Sequence, residues 1–471
     1  MTIWLPDLSD RRGPRYLAIA DALADDIASG RLKEGERLPT HRELAYRLGI
    51  TVGTVSRAYA EAETRGLTVG EVGRGTFIRK NAISSSGVFL LAPGHHRSGI
   101  VDFGLNLPVQ GDGPARLAES IARLSKGPGI LSKLLDYQPE LGLASHRAAG
   151  AAWLRLTKVH VDADRIAVTS GAQHGLAATL MAISRPGNLV LTEHLTWPGI
   201  KDLADQLHLR LHGVEMDELG LRPDAFESAC RSMQPVALYT MPTLQNPTAV
   251  VMPDERRRKV VDIARHYGVT IIEDDVYGFL LGDSVPTPLA MMAPEQVYYI
   301  TSMAKCLMPG LRVGFVAAPP GKVDRIGAAV RVTIRMTPPL LAEVVSGWIA
   351  DGTAAAMVTI QRDQVRQRQA IARRLFERVD FNGNELTSDH HAFHMWLPMP
   401  KSWRVEDFVT EARRQDVILM GAEPFQVDRG HVQRHVRVCL GAPPTLADVE
   451  RGLTILAGIL ERHMVPNRAV V

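Results

Sequence analysis

The sequence predicts an α/β protein in two unequal parts, and three observations predict it. The first 80 residues carry three short helical stripes followed by a strand, a glycine turn and a strand. From Ile166 to Ala318, apolar β-type runs alternate mostly with helical stretches, the pattern of a mostly parallel sheet covered on both faces. Between these parts, residues 81–100 are polar and glycine-bearing without a helical period, and read as a linker.

Bulk properties bound the rest. A chain of 471 residues fits two or three domains with ample core. Apolar and charged fractions of 45% and 22% exclude global disorder. A net charge of +3 advertises no nucleic-acid partner for the whole molecule, so any such partner must be met by a local patch. Cys230, Cys306 and Cys439 lack CxxC spacing, which points to a reducing compartment and against a zinc framework. The N-terminus shows no basic region followed by an apolar one, and no long apolar run follows. The expectation is a soluble cytoplasmic protein without a membrane partner.

In the N-terminal part, Leu17, Ile19, Ala20, Leu23, Ala24 and Ile27 make a helical stripe that Gly30 ends. Thr40 to Glu43 has capping-box spacing and opens a second helix with Leu44, Ala45 and Leu48. After Gly49 and Ile50, Thr51 caps a third helix bearing Val52, Val55, Ala58, Tyr59 and Ala62, which Gly66 closes. Two short helices across so brief a turn are a helix-turn-helix, and the glycine-turn hairpin from Leu67 to Ile78 is its wing. Residues 1–80 hold 13 Lys and Arg against 11 Asp and Glu, so position matters more than the sum. Asp21, Asp25, Asp26 and Glu34 lie on the first helix and its exit. Arg37, His41, Arg42, Arg57, Arg65, Arg74 and Arg79 fall in elements expected to face DNA, where guanidinium groups hold phosphates and reach guanine edges. A winged module that binds protein is the competing reading.

The stretches Leu38 to Ala45, Thr54 to Tyr59 and Gly73 to Phe77 resemble the GntR-type winged helix, although Val52 stands where that family often has arginine. The resemblance implies operator contacts from Arg37, Thr40, His41, Arg42, Thr51, Thr54, Ser56, Arg57 and Arg74. In the linker, His95 and His96 read as solvated residues.

In a parallel sheet, ligands bind at the carboxyl ends of the strands. After the first run, Thr169, Ser170, Gly171, Ala172, Gln173 and His174 form a small-residue turn into a helix, a seat for an anion or a plain connection. The second run ends near Trp197, a flat aromatic that could stack on a heterocycle or simply pack. The third leads to Asn246 before Pro247, a rigid donor. The fourth ends in Glu273, Asp274 and Asp275, whose repulsion asks for a cation, either a protonated pyridine or a metal. The fifth reaches Ser302, Lys305 and Arg312. Lys305 lies among Ala304, Cys306, Leu307 and Met308; if interior, its ammonium is poorly solvated and its pKa falls. Such a lysine attacks an aldehyde, and the cofactor that uses one is pyridoxal phosphate, whose phosphate Ser302 and Arg312 could hold. A Ser-x-x-Lys tetrad also occurs in serine β-lactamases, but the Ser-Asp-Asn and Lys-Thr-Gly tripeptides of those enzymes are absent here.

The order of these features resembles the fold-type I aminotransferases over roughly residues 100–465. By that resemblance Lys305 forms the internal aldimine, Asp274 pairs with the pyridine nitrogen, and Asn246 and Tyr277 bond the ring oxygen. Trp197 stacks on the ring, and Ser170, Gly171, Ala172, Gln173, Ser302 and Arg312 hold the phosphate. Tyr137 reaches a neighbouring subunit's phosphate, implying a homodimer, and Arg437 grips a substrate carboxylate. His390, His391 and His394 read as structural, and no metal site is expected. The fused layout resembles the MocR/GabR-type regulators nearly end to end. It implies a winged helix-turn-helix over 1–80, a linker over 81–100, a large pyridoxal phosphate domain over 101–337 and a smaller C-terminal α+β domain over 338–471. The implied function is a regulator that binds double-stranded operator DNA and senses pyridoxal phosphate, or an amino compound or amino acid effector, by Schiff-base exchange at Lys305. A working aminotransferase with a DNA-binding appendage is the alternative.

Overall fold

A computed structural model describes residues 4–8, 14–28, 31–33, 35–64, 67–71, 75–78, 99–381, 386, 388–428 and 434–462. Gly30, Glu34, Arg65, Gly66, Gly73, Arg74, Arg79 and residues 81–98 of the linker read at 81–100, with His95 and His96, lie outside the described residues. The chain forms two compact units, one within residues 1–94 and one within 95–471.

The smaller unit has helices Arg15–Ala28, His41–Leu48 and Val52–Thr64 and an antiparallel pair, Thr68–Glu71 with Gly75–Ile78. The helical stripes converge: Ile19, Leu23, Leu44, Val55, Ala58 and Ile78 are buried together. Each Leu or Val so placed stabilises by roughly 1.5–3 kcal/mol. The caps follow from the residues that precede each helix. Thr40 Oγ1 accepts from the Glu43 amide at 3.3 Å, and Thr51 Oγ1 from the Thr54 amide at 3.2 Å. Gly49, at φ +64°, takes the left-handed turn between the two helices at no steric cost.

In the larger unit a seven-stranded sheet runs in the order Ile166–Thr169, Gly314–Ala317, Val297–Ser302, Thr270–Asp274, Ala237–Thr240, Leu189–Glu193, Arg210–Val214. Gly314–Ala317 is antiparallel to both neighbours and the remaining pairs are parallel. The apolar runs legible in the sequence are the five inner strands and the edge strand Ile166–Thr169. The seventh, Arg210–Val214, sits at an edge with a largely unburied face, so its sequence shows no apolar run. A second apolar core joins Val101 and Phe103 to residues from Ala372 to Leu460 around a three-stranded sheet of His394–Pro398, His435–Cys439 and Met420–Gly421. Among the described residues no single helix is long and apolar enough to cross a membrane. Pro339–Ala350 and Thr353–Phe376 meet both conditions only as a pair bent by 79°.

Candidate functional site

Lys305 lies on the short helix Met303–Cys306, immediately after the inner strand Val297–Ser302. Ser302 starts that helix by accepting from the Ala304 amide at 3.1 Å. Part of the Lys305 side chain stays accessible, but protein crowds its ammonium, which donates to the backbone carbonyl of Asn106. Burial, aided by the nearby Arg437 cation, lowers its pKa to about 8.

The three carboxylates on the neighbouring strand have different fates, because successive side chains point to opposite faces. Glu273 accepts from the amides of Leu289 and Ala290 at 3.0 and 2.9 Å and faces Arg257 at 3.6 Å. Asp275 accepts from the Gly278 amide and the Tyr299 hydroxyl, both at 2.6 Å. Asp274 takes only the Tyr239 hydroxyl, at 2.8 Å on Oδ2, and its buried Oδ1 has no partner. Burial raises its pKa to about 7, against the Tyr239 hydrogen bond, and the charges of Asp275 and Glu193 push the same way. Cation demand at this strand end is thus met by a protein group for Glu273 and left open at Asp274.

Around Lys305 runs a buried polar network. Asn106 Nδ2 donates to the Tyr277 hydroxyl at 2.9 Å and lies 3.0 Å from His394 Nδ1. His394 Nε2 is 3.0 Å from the Gln245 carbonyl. Arg437 donates to Asn246 Oδ1 at 2.9 Å and to the Gly104 carbonyl at 2.7 Å, with its guanidinium 4.7 Å from the Phe425 ring centroid. Its Nε and Asn106 Oδ1 are buried without partners. Asn246 is joined to Pro247 by a cis peptide.

The anion seat is built on close backbone approach. Gly171 has φ +83°, and a Cβ there would sit 3.0 Å from an Arg312 nitrogen. Arg312 donates to the Ser170 carbonyl at 3.0 Å. A Cβ on Gly314 would lie 2.7 Å from the Gly171 carbonyl carbon, so strand and turn touch. The helix Ala172–Ile183 begins there, and its first turn holds Ala172 and Gln173. The Ser170 amide is already used, donating to His174 Nδ1 at 3.1 Å. Ser302 Oγ lies 3.3 Å from the Val313 carbonyl, to which it donates. Trp197 is half-buried against Gly199. Tyr137 stands apart, 76% exposed, with the Arg335 guanidinium 5.5 Å over its ring.

Four groups were not legible as site residues: Gly104, Asn106, Tyr239 and His394. Gly104 acts through its backbone carbonyl and Asn106 through both its carbonyl and its side-chain amide, meeting Lys305 from 199 residues away. Tyr239 sits inside an apolar run and carried no signal beyond its hydroxyl. His394 was read as structural because a strand follows it. Asp389, His390 and His391 present ligand atoms within 4.8 Å of one another, so a cluster of metal-ligating types exists where none was expected.

On the smaller unit Thr40, Arg42 and Thr51 are exposed and Thr54 is half-exposed. Other residues of that set are engaged. His41 Nδ1 is 3.0 Å from Ser56 Oγ, the Arg57 guanidinium lies 4.4 Å over the Tyr16 ring, and Arg37 packs on Gly75.

The donor set fits pyridoxal phosphate: an open buried carboxylate oxygen suits a pyridinium, burial makes the Lys305 ammonium easier to deprotonate, and an arginine flanks a glycine turn at a helix start. Residues 99–456 match the family described as aminotransferase class I and II, and residues 15–78 match that of bacterial regulatory proteins, gntR family. The chain belongs to the class I and II aminotransferase family and carries a gntR-type module ahead of it. It is 30% identical over 469 residues to an uncharacterized HTH-type transcriptional regulator, YdeF, of Bacillus subtilis, covering 97% of both chains. It is 27% identical to a 2-aminoadipate transaminase of Thermus thermophilus, over 71% of this chain and 84% of that one. Among solved structures it is similar to LysN, an alpha-aminoadipate aminotransferase of Thermus thermophilus complexed with N-(5'-phosphopyridoxyl)-L-leucine. That likeness has a TM-score of 0.72 at 25% identity and covers 81% of this chain and 96% of that one.

Proposed function

We propose that this protein is a cytoplasmic, pyridoxal phosphate-binding transcription regulator whose larger unit senses the cofactor, or an amino compound that competes for it, at Lys305. One observation carries the reading: a lysine whose ammonium is destabilised to about 8 shares a buried site with a carboxylate oxygen that no protein group satisfies. When bound, pyridoxal phosphate supplies an aldehyde that a primary amine can capture and a ring that withdraws electrons.

The chain's own residues do the rest. With a pKa of about 8, roughly a tenth of Lys305 is neutral at pH 7, enough to act as a nucleophile. Asp274 Oδ1 keeps a pyridinium proton in place. Arg312 and the amides at the start of Ala172–Ile183 hold the phosphate, Trp197 covers the ring, and Asn246 and Tyr277 take its oxygen. Arg437 offers two nitrogens to a carboxylate once Asn246 and Gly104 yield them. An effector amine competing with Lys305 for the aldehyde would, on giving up a proton of its own ammonium, leave the Lys305 amine to take that proton and donate again to the Asn106 carbonyl, a difference that would bias the protein between DNA-binding states. The helix-turn-helix binds the operator, with Thr40, Arg42, Thr51 and Thr54 toward the duplex. The functional unit is a homodimer in which exposed Tyr137 reaches the other subunit's site.

The test is direct. Incubated with pyridoxal phosphate, the protein is expected to gain a visible absorbance band that borohydride fixes onto the peptide holding Lys305. Lys305→Ala should abolish the band, and amines that change it should change the shift of upstream intergenic DNA. A colourless wild-type protein sinks this reading. A second reading, an aminotransferase with a DNA-binding appendage, is favoured by the presence of Arg437 beside Lys305 and Asp274. Turnover of amino donors with a keto acid at metabolic rates would establish it.

A further inference from the structure

The buried chain of groups from Gln245 to Tyr277 has a direction, and that direction can be derived. The Gln245 carbonyl can only accept, so the His394 nitrogen 3.0 Å away, Nε2, carries the ring's proton. Burial and the Arg437 cation then hold His394 neutral, with its pKa lowered to about 3, and Lys305 pushes the same way. A neutral ring protonated on Nε2 makes Nδ1 an acceptor, so Asn106 must turn its amide nitrogen toward it at 3.0 Å. The same nitrogen donates to the Tyr277 hydroxyl at 2.9 Å. Were the Asn106 amide reversed, its oxygen would need a proton on Nδ1 and leave an unprotonated Nε2 against a carbonyl. With its oxygen accepting, Tyr277 must send its own proton elsewhere, and no described group accepts it.

We propose that His394 and Asn106 are positioning residues that set the polarity of this chain, so that Tyr277 always donates its hydroxyl proton into the Lys305 site. This inference rests on the cofactor reading above, and deepens it by naming what orients the donor for the ring oxygen. The charged and titratable groups facing Tyr277 are Arg437, Asp274 and Cys439, and burial keeps its phenol protonated well above neutrality. Asn106 also ties the relay to the lysine, because its backbone carbonyl receives the Lys305 ammonium. A donor at the ring oxygen stabilises the form in which that oxygen carries unshared negative charge. The loaded protein's absorbance band therefore titrates at lower pH with this donor than without it.

Two measurements test the polarity. In the full chain without cofactor, nitrogen NMR of selectively labelled histidine, assigned by difference from His394→Gln, should find His394 neutral from pH 5 to 8 with its proton on Nε2. In the loaded protein, Asn106→Asp and His394→Leu should raise the band's titration midpoint by about one unit. His394→Gln, whose amide can both accept from Asn106 and donate to Gln245, should leave it near the wild-type value. A purely structural role would lower cofactor occupancy without moving the midpoint. A charged ring, a proton on Nδ1, or an unmoved midpoint in loaded Asn106→Asp and His394→Leu overturns the proposal. Should the wild type show no band, the cofactor reading fails, and the tautomer alone still decides this one. Should the Leu and Asp variants not fold, the tautomer in the wild type decides it as well.

Discussion

Among the buried cations of the larger unit, those at Arg257 and at Lys305 with Arg437 are finished to different degrees. Arg257, fully buried, donates to the carbonyls of Met252 at 2.8 Å, Pro242 at 2.9 Å and Thr287 at 3.3 Å, and to the Thr243 hydroxyl at 2.8 Å. Its partner Glu273 is closed by two amides. Around Lys305 and Arg437, by contrast, Asp274 Oδ1, Asn106 Oδ1 and Arg437 Nε are buried with nothing to bond. A protein tolerates the desolvation of an ion when every lone pair and proton finds a partner, and an unmatched buried atom costs about 1–3 kcal/mol. The first centre is therefore a structural brace, and the second keeps the unmatched atoms that the proposed ligand would fill.

The comparison breaks most sharply at the brace. Arg257→Ala leaves Glu273 buried and unpaired and should cost about 3–5 kcal/mol, read as a fall in the denaturant midpoint of the cofactor-free protein. A small loss would mean that the two centres are not different in kind. Lys305→Met should do the opposite. The folded pKa of Lys305, about 8, lies below its ordinary 10.5, so the stability this group contributes is present above pH 10.5 and lost as pH falls through 8. The variant should thus exceed the wild type by up to about 3 kcal/mol below pH 8, the gap closing toward pH 10.5.

Asp274→Asn should show a gain of comparable size with the reverse pH dependence. Its folded pKa, about 7, stands above the ordinary 3.8, so its contribution is present below pH 3.8 and lost as pH rises through 7. The variant's advantage should grow across that window to about 4 kcal/mol. The same change should weaken cofactor binding, separating a ligand site from a brace. Smallest is Arg42→Ala on the exposed face of the other unit, with stability changed by no more than about 0.5 kcal/mol. The salt dependence of DNA binding should ease by about one unit of slope if Arg42 holds a phosphate.

Much of this was legible beforehand because it is local. Capping at Thr40 and Thr51, the turn at Gly49 and the inner strands each follow from a few adjacent residues, and the structure repeats them. The edge strand Arg210–Val214 escaped because a half-exposed strand lacks a continuous apolar run. The antiparallel sense of Gly314–Ala317 escaped because strand direction leaves no mark on composition. At the site, Lys305, Asp274 and Arg312 announced themselves as charges at the ends of apolar strands. Among the three adjacent carboxylates only the resemblance singled out Asp274; residue chemistry alone could not, since which one stays open depends on Arg257 arriving from another helix.

By itself the amino-acid sequence determined the two-part layout, the order of polar groups along the strand ends and the lysine most burdened by its neighbours, since periodicity and adjacency are properties of the chain. Only the tertiary structure decided that Val101 and Phe103 join a core otherwise made from Ala372 onward. It alone brought the Gly104 and Asn106 carbonyls to Arg437 and Lys305. Backbone carbonyls are the same at every residue, so nothing in their identity says which cation they will meet; packing between distant segments selects them.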